Sequence, residues 1–237
     1  MLNPQERVVM ISGANRGIGL AIARCLYDKG YSLSLGARDM STLDPVVRSL
    51  EDDRVLTHRY DAQDADNNAA WIDATVERFG RIDALVNNAG RADHLNIEDD
   101  DEALLDELLE VNTKAPMRMI RLALPHLRRS GAGRIINVIS LSGKRVANDG
   151  TGYAISKFAM MAVNHAARRA AWKEGVRSTA LCPSYVATDM TDGVEDVARD
   201  DMIQPEDLAE LAAVAIALPN NATVAEILVN CRFEPLL

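Results

Sequence analysis

Two side chains four apart, in Tyr153-Ala-Ile-Ser-Lys157, are the pair in this 237-residue chain best suited to moving a proton. Their spacing sets both on one face of a helix. A free phenol, with a pKa of ~10, is a poor base near neutrality; lowering it by ~3 takes ~4 kcal/mol. One ammonium about 4 Å away supplies ~4 kcal/mol at an effective dielectric of ~20. On that reckoning Lys157 is expected to acidify Tyr153 enough for it to pass a proton to or from a carbonyl oxygen. Alone, the pair is a common accident of helices. Here it follows Ile135-Ile-Asn-Val-Ile-Ser140, and Ser140 ends a predicted strand, where sites of α/β folds collect.

A second constellation lies near the start, in Val8-Val-Met-Ile-Ser-Gly13-Ala-Asn-Arg-Gly17-Ile-Gly19. It reads as a strand, a glycine turn and a helix. The glycines let the backbone approach a pyrophosphate, and the helix N-terminus offers free N–H groups and the positive end of its dipole. The spacing is G-x-x-x-G-x-G, and no Gly-Lys-Ser/Thr follows, which excludes a P-loop. Dinucleotide binding is the expectation. Carboxylates at the end of the second strand usually bond a ribose 2′-OH. This chain instead reads Leu35-Gly36-Ala37-Arg38, and Arg16 lies inside the glycine loop. Two guanidiniums suit a 2′-phosphate, so NADP(H) is expected over NAD(H), with Asp39 weakening the case slightly.

These residues need a scaffold. Apolar runs at Val8–Ser12, Leu33–Ala37, Val55–Tyr60, Ala84–Asn87, Arg134–Ile139, Ser178–Cys182 and Ala225–Asn230 alternate with helical patterns. The helices are predicted at Gly17–Lys29, Asn67–Phe79, Asp101–Arg129, Gly152–Glu174 and Pro205–Leu218, with Pro116 and Pro125 bending the third. Such alternation predicts an α/β fold: a Rossmann-like doubly wound parallel sheet of about seven strands, with helices on both faces, in a single domain over 1–237. The acidic run Glu98-Asp-Asp-Asp-Glu102 falls where a helix begins and reads as a solvated cap.

Composition agrees: 48% hydrophobic and 26% charged is a globular balance. The 26 basic and 35 acidic residues leave a formal net charge of −9 at pH 7, a poor match for nucleic acid or anionic lipid. No stretch reaches the ~20 apolar residues of a bilayer crossing. Met1 to Arg7 carries no charged leader with an apolar core, so no export signal and a cytoplasmic location are expected. Cys25, Cys182 and Cys231 have neither metal nor disulfide spacing and read as small hydrophobes. No metal is expected.

Together these motifs resemble the short-chain dehydrogenase/reductases, in their single-domain branch, over nearly the whole chain. Ser12-Gly-Ala-Asn-Arg-Gly-Ile-Gly19 is similar to the family's cofactor loop, with Ser12 where threonine is usual. The resemblance implies that Gly13, Asn15, Arg16, Gly17, Ile18, Gly19 and Arg38 hold cofactor, that Asp61 and Ala62 flank the adenine, and that Asn87-Asn88-Ala89-Gly90 braces the sheet and lines the cofactor. It implies a tetrad of Asn112, Ser140, Tyr153 and Lys157, with Ser140 thirteen residues before the tyrosine. Tyr153 would be the acid/base, Lys157 would lower its pKa and bond the nicotinamide ribose, Ser140 would hold the substrate oxygen, and Asn112 would position a relay water. Pro183, Val186 and Thr188 would cradle the carboxamide.

Two segments depart from the family pattern. Ser184 stands where glycine is usual, and Val229-Asn-Cys-Arg-Phe-Glu-Pro-Leu-Leu237 lacks the usual Asp-Gly-Gly, which leaves a homodimer as plausible as a homotetramer. Residues 188–204 are polar and acidic and read as a mobile substrate lid. That cover suits a small polar carbonyl or alcohol, with His94, Leu141, Ser142 and Tyr185 as pocket candidates by position. Related epimerases and dehydratases share Tyr-x-x-x-Lys but have longer chains and another glycine spacing. Non-catalytic, redox-sensing relatives commonly lose the tyrosine or lysine, and both are present here.

Overall fold

The computed structural model describes residues 1–48, 50 and 52–234. Within them the apolar runs become seven strands: β1 (Val8–Ser12), β2 (Ser32–Ala37), β3 (Val55–Arg59), β4 (Ala84–Asn87), β5 (Arg134–Val138), β6 (Arg177–Pro183) and β7 (Glu226–Val229). All pair in parallel, in the order β3-β2-β1-β4-β5-β6-β7. The helices are α1 (Gly17–Asp28), α2 (Asp44–Val47), α3 (Ala65–Phe79), α4 (Glu102–Leu109), α5 (Ala115–Arg129), α6 (Thr151–Ala170) and α7 (Pro205–Ala217).

Successive residues of β1 enter opposite cores, which is why that strand reads as an unbroken apolar run. Val9 and Ile11 join Ile22 and Leu26 of α1 and Leu208 and Ile216 of α7. Met10, between them, joins Trp71 of α3, Met119 and Leu127 of α5 and Met160 of α6. Each fully buried Leu or Ile contributes about 1.5–3 kcal/mol relative to exposure. The chain winds from β1 out to β3, then returns so that β4 lies on the other side of β1. Strand order reverses there, and a crevice opens at the carboxyl ends of β1 and β4.

The predicted helix over Asp101–Arg129 is not one regular helix. A π-helical turn at Glu110–Lys114 separates α4 from α5. The interruption precedes both prolines, and Pro116 sits in the first turn of α5, where its missing N–H costs nothing. Asp101 of the acidic run does cap α4, accepting a hydrogen bond from the Leu104 N–H at 2.9 Å. The helix carrying Tyr153 and Lys157 ends at Ala170, four residues before the predicted Glu174. Short helical turns between 40 and 54 had no periodic signal.

Candidate active site

The loops after β1 and β4 are sewn together. The Ser12 hydroxyl accepts from the N–H groups of Asn88 and Ala89, both at 3.0 Å. The Asn88 amide donates to the carbonyls of Ser12 and Gly13, both at 3.0 Å. This closeness dictates glycine: a Cβ on Gly19 would lie 2.2 Å from the Gly13 carbonyl oxygen, and Gly13 itself has φ +65. Gly13, Asn15, Gly17, Ile18 and Gly19 thus form one concave turn ending in α1, facing Asn88, Ala89 and Gly90. No side chain caps α1, so its first-turn N–H groups face outward, as a bound phosphate requires.

The residues chosen for cofactor specificity fall around this turn. Arg38 is exposed just past β2 and forms no ion pair among the described residues. Asp39 beside it is committed elsewhere: its carboxylate accepts from the Ser41 N–H at 2.9 Å and hydroxyl at 2.7 Å, and these bonds hold its pKa below the usual carboxylate range. Arg16 is also exposed but is paired, with its guanidinium 3.0 Å from Asp189. Asp61 lies just beyond β3, accepting from the Gln63 N–H at 3.1 Å and pairing with Arg59 at 3.2 Å. Ala62 is buried, and its carbonyl accepts from Arg118 at 3.1 Å. The glycine cradle, the uncapped helix and the unpaired Arg38 fit a dinucleotide.

The proton-transfer residues meet at the carboxyl ends of β4 and β5. Ser140 follows β5, Tyr153 and Lys157 lie in the first two turns of α6, and Asn112 lies in the π-turn. The Lys157 ammonium sits 5.4 Å from the centroid of the Tyr153 ring and donates to the Val138 carbonyl at 3.3 Å. Ser140 favours the ionised form of the phenol. The expected acidification is not found in the free chain. Burial pushes Tyr153 up to about 12, with the Ser140 contact opposing the rise, and pushes Lys157 down to about 8. Desolvation disfavours the charged form of each group and is the largest cause of both shifts. Near pH 7 Tyr153 is therefore a neutral phenol and Lys157 mostly a cation.

Asn112 is fixed by three hydrogen bonds. Its Nδ2 donates to the Arg91 carbonyl at 2.9 Å and to the Ser156 hydroxyl at 3.0 Å, while its Oδ1 accepts from the Arg91 N–H at 3.0 Å. The side chain clamps the loop after β4 to α6, and its donors have no capacity left for a water. Sequence reasoning missed Ser156 and Arg91, because their part in this clamp is visible only through space.

On the substrate side, Pro183 ends β6, and Val186 is a buried core residue bridged to Ile203. Ser184 turns its side chain toward the chain's end, donating to the Cys231 sulfur at 3.3 Å and accepting from the Cys231 N–H at 3.0 Å. A glycine could not make this tie, which accounts for the departure. Tyr185 is half-buried under the Arg232 guanidinium, 5.4 Å from its ring centroid. Ser142 is half-buried, and its N–H donates to Ser140 Oγ at 3.1 Å. Leu141, expected in the pocket, is a core residue with 1% exposure. His94 is exposed on its loop. Residues 188–204 contain two short 3-10 turns, the first closed by reciprocal bonds between Thr188 and Thr191. Of the divergent C-terminal stretch, 235–237 lie outside the described residues. Burial pushes the Cys25 and Cys182 thiols up to about 11, in keeping with inert roles. No described helix is long and apolar enough to cross a membrane.

Comparison with known proteins identifies the family to which this fold and crevice belong. The model of the short chain dehydrogenase family matches residues 7–198, and the chain belongs to that family. It is 41% identical to an agropine synthesis reductase of Rhizobium rhizogenes, over 98% of this chain and 54% of that protein. A second reductase of that name from the same organism is 42% identical over 97% of this chain and 54% of its own length. The chain thus spans about half the length of these curated relatives. Among solved structures, an alcohol dehydrogenase from the archaeon Thermococcus sibiricus, complexed with 5-hydroxy-NADP, superposes with a TM-score of 0.86 at 30% identity, covering 94% of this chain and 95% of that one. A 3-ketoacyl-(acyl-carrier-protein) reductase from Brucella melitensis, complexed with NADH, gives 0.88 at 26% identity, covering 96% and 98%.

Proposed function

We propose that the chain is an NADP(H)-dependent reductase of a small polar carbonyl compound, with Tyr153 as the general acid. The observation that carries this reading is a neutral, half-buried phenol whose ring lies 5.4 Å from a buried ammonium, with Ser140 favouring its ionised form. A bound nicotinamide supplies the hydride. The chain's residues handle the oxygen: Ser140 and Tyr153 converge on one position and donate hydrogen bonds to it. As negative charge develops there, Tyr153 releases its proton and Lys157 stabilises the phenolate left behind. With its pKa raised to about 12 the phenol is protonated at neutral pH, the form that carbonyl reduction requires and alcohol oxidation does not. The relatives named as reductases point the same way.

Arg38, free of ion pairs among the described residues, and Asp39, turned toward Ser41, support the phosphorylated cofactor. Known structures are divided, since similar chains carry an NADP derivative or NADH. Proton supply to Lys157 runs past Asn112; its side-chain donors are engaged, and a relay water there would donate to Oδ1, which accepts only from the Arg91 N–H. Residues 188–204 cover the bound substrate. The test is NADPH oxidation over a panel of small aldehydes, ketones and keto acids, with Tyr153→Phe alongside. Turnover by the parent and a loss of at least ~100-fold in the variant is expected, in line with the weight of general acid catalysis. Equal rates in both proteins would remove Tyr153 from the mechanism.

A further inference from the structure

Arg16 is the one cation within the glycine loop, yet its guanidinium is bound to a carboxylate of the chain itself, Asp189, at 3.0 Å. The partners are far apart in sequence and both largely exposed, with 69% and 62% of their side-chain surfaces accessible. Neither burial nor a second partner holds them together, so the pair can open without a desolvation cost.

What holds Asp189 in place is the turn it begins. Thr191 Oγ1 accepts from the Thr188 N–H at 3.3 Å, and the Thr191 N–H donates to the Thr188 carbonyl at 3.0 Å. Arg199, ion-paired with Asp192, donates to the same carbonyl at 3.5 Å. The turn rests directly on the phosphate-binding loop: a Cβ on Gly17 would come within 3.1 Å of Thr188 Cγ2. The first turn of the segment over the substrate site therefore sits on the loop that receives cofactor phosphates, with its carboxylate on that loop's arginine.

From this geometry we infer that Asp189 is a specificity-determining residue, an internal competitor for the arginine that would bind the cofactor's 2′-phosphate. This deepens the NADP(H) reading and rests on it. A 2′-phosphate, with a charge of about −1.5 to −2, must draw Arg16 away from Asp189 and then tolerate the freed carboxylate nearby. NAD(H) has no such group and leaves the pair intact. Asp189 thus lowers the affinity for NADP(H) without altering that for NAD(H), and binding of the phosphorylated cofactor releases the segment over 188–204 from the glycine loop.

The test is a double-mutant cycle of Asp189→Asn and Arg16→Ala, with dissociation constants for NADPH and NADH measured by calorimetry on all four proteins. Both sites are exposed, and thermal denaturation verifies folding. An exposed ion pair is worth at most about 1 kcal/mol, so Asp189→Asn is expected to tighten NADPH by about two- to five-fold and leave NADH unchanged. With Arg16→Ala in place, the same substitution should change NADPH binding by less than about 1.5-fold. The inference is overturned if Asp189→Asn leaves NADPH binding unchanged, tightens both cofactors alike, or tightens NADPH equally without Arg16. Selective weakening of NADPH by Arg16→Ala, together with a silent Asp189→Asn, removes the competition but keeps the NADP(H) reading. If the parent binds NADH as tightly as NADPH and Arg16→Ala has no selective effect, both fall.

Discussion

Replacing Lys157 by methionine should make the free protein more stable while abolishing its activity. Lys157 is 6% exposed, and burial pushes its ammonium down from 10.5 to about 8. That difference means the fold carries about 3 kcal/mol of unfavourable charge burial at neutral pH. Methionine fills similar space without charge. It also deletes the hydrogen bond to the Val138 carbonyl, 3.3 Å from Nζ, at a cost of roughly 1–2 kcal/mol. The net gain is about 1–2 kcal/mol, or ~2–8 °C in Tm for a chain of this size. The pH dependence identifies the cause. An unfolded lysine keeps its proton up to 10.5 and the folded one only to about 8. Between these values the unfolded state binds more protons, so parental stability rises with pH while the methionine variant lacks that rise. The Tm gap, measured without cofactor by circular dichroism, should be full below pH 8, narrow above it and reverse before pH 10.5, where only the lost hydrogen bond remains. A variant that melts below its parent at pH 7, or a gap that does not change with pH, refutes the burial argument.

The same values set the pH profile of catalysis. Carbonyl reduction needs the phenol protonated and the ammonium charged, so kcat/KM should be flat below the Lys157 value of about 8 and fall above it; a rise through that window contradicts the assignment. Arg38→Ala should weaken NADPH about 10- to 100-fold, the worth of a lost charge-assisted bond, with NADH unchanged, as checked by titration. Arg134, 2% exposed, donates to the carbonyls of Gly133, Gly175 and Leu218 and to Asn220, and no carboxylate pairs with it among the described residues. Arg134→Met strands these acceptors and should lower stability by about 3 kcal/mol in denaturant titration while leaving the cofactor crevice at the opposite end of β5 intact.

The central strands β1 and β4 were legible because they are buried on both faces, so Val8–Ser12 and Ala84–Asn87 run apolar without alternation. The glycine loop was legible because close approach of backbone leaves no room for a Cβ, as at Gly19. Through-space properties were hidden. Spacing places Lys157 beside Tyr153 but does not reveal the desolvation that raises one pKa and lowers the other. Helical periodicity runs unbroken across Glu110–Lys114, because a π-turn shifts the phase by a single residue. The commitment of Arg16 to Asp189 joins segments with no local signal between them.

A helix that buries an ammonium could relieve its cost by sliding or rotating toward solvent, and the polar anchors of α6 oppose that motion. One residue before Lys157, Ser156 accepts from Asn112 at 3.0 Å through its hydroxyl and from Thr113 at 2.9 Å through its carbonyl. Two turns further on, Asn164 accepts from Asn137 of β5 at 2.9 Å and from Ser178 of β6 at 2.7 Å. All of these partners are buried. At about 1 kcal/mol each, the four bonds offset a cost of about 3 kcal/mol, and a slip of one residue would break them together. The π-turn belongs to the same device, since Asn112 and Thr113, the donors to Ser156, are both in it. The fold thus holds a destabilising lysine at the one place where its charge can act on the phenol.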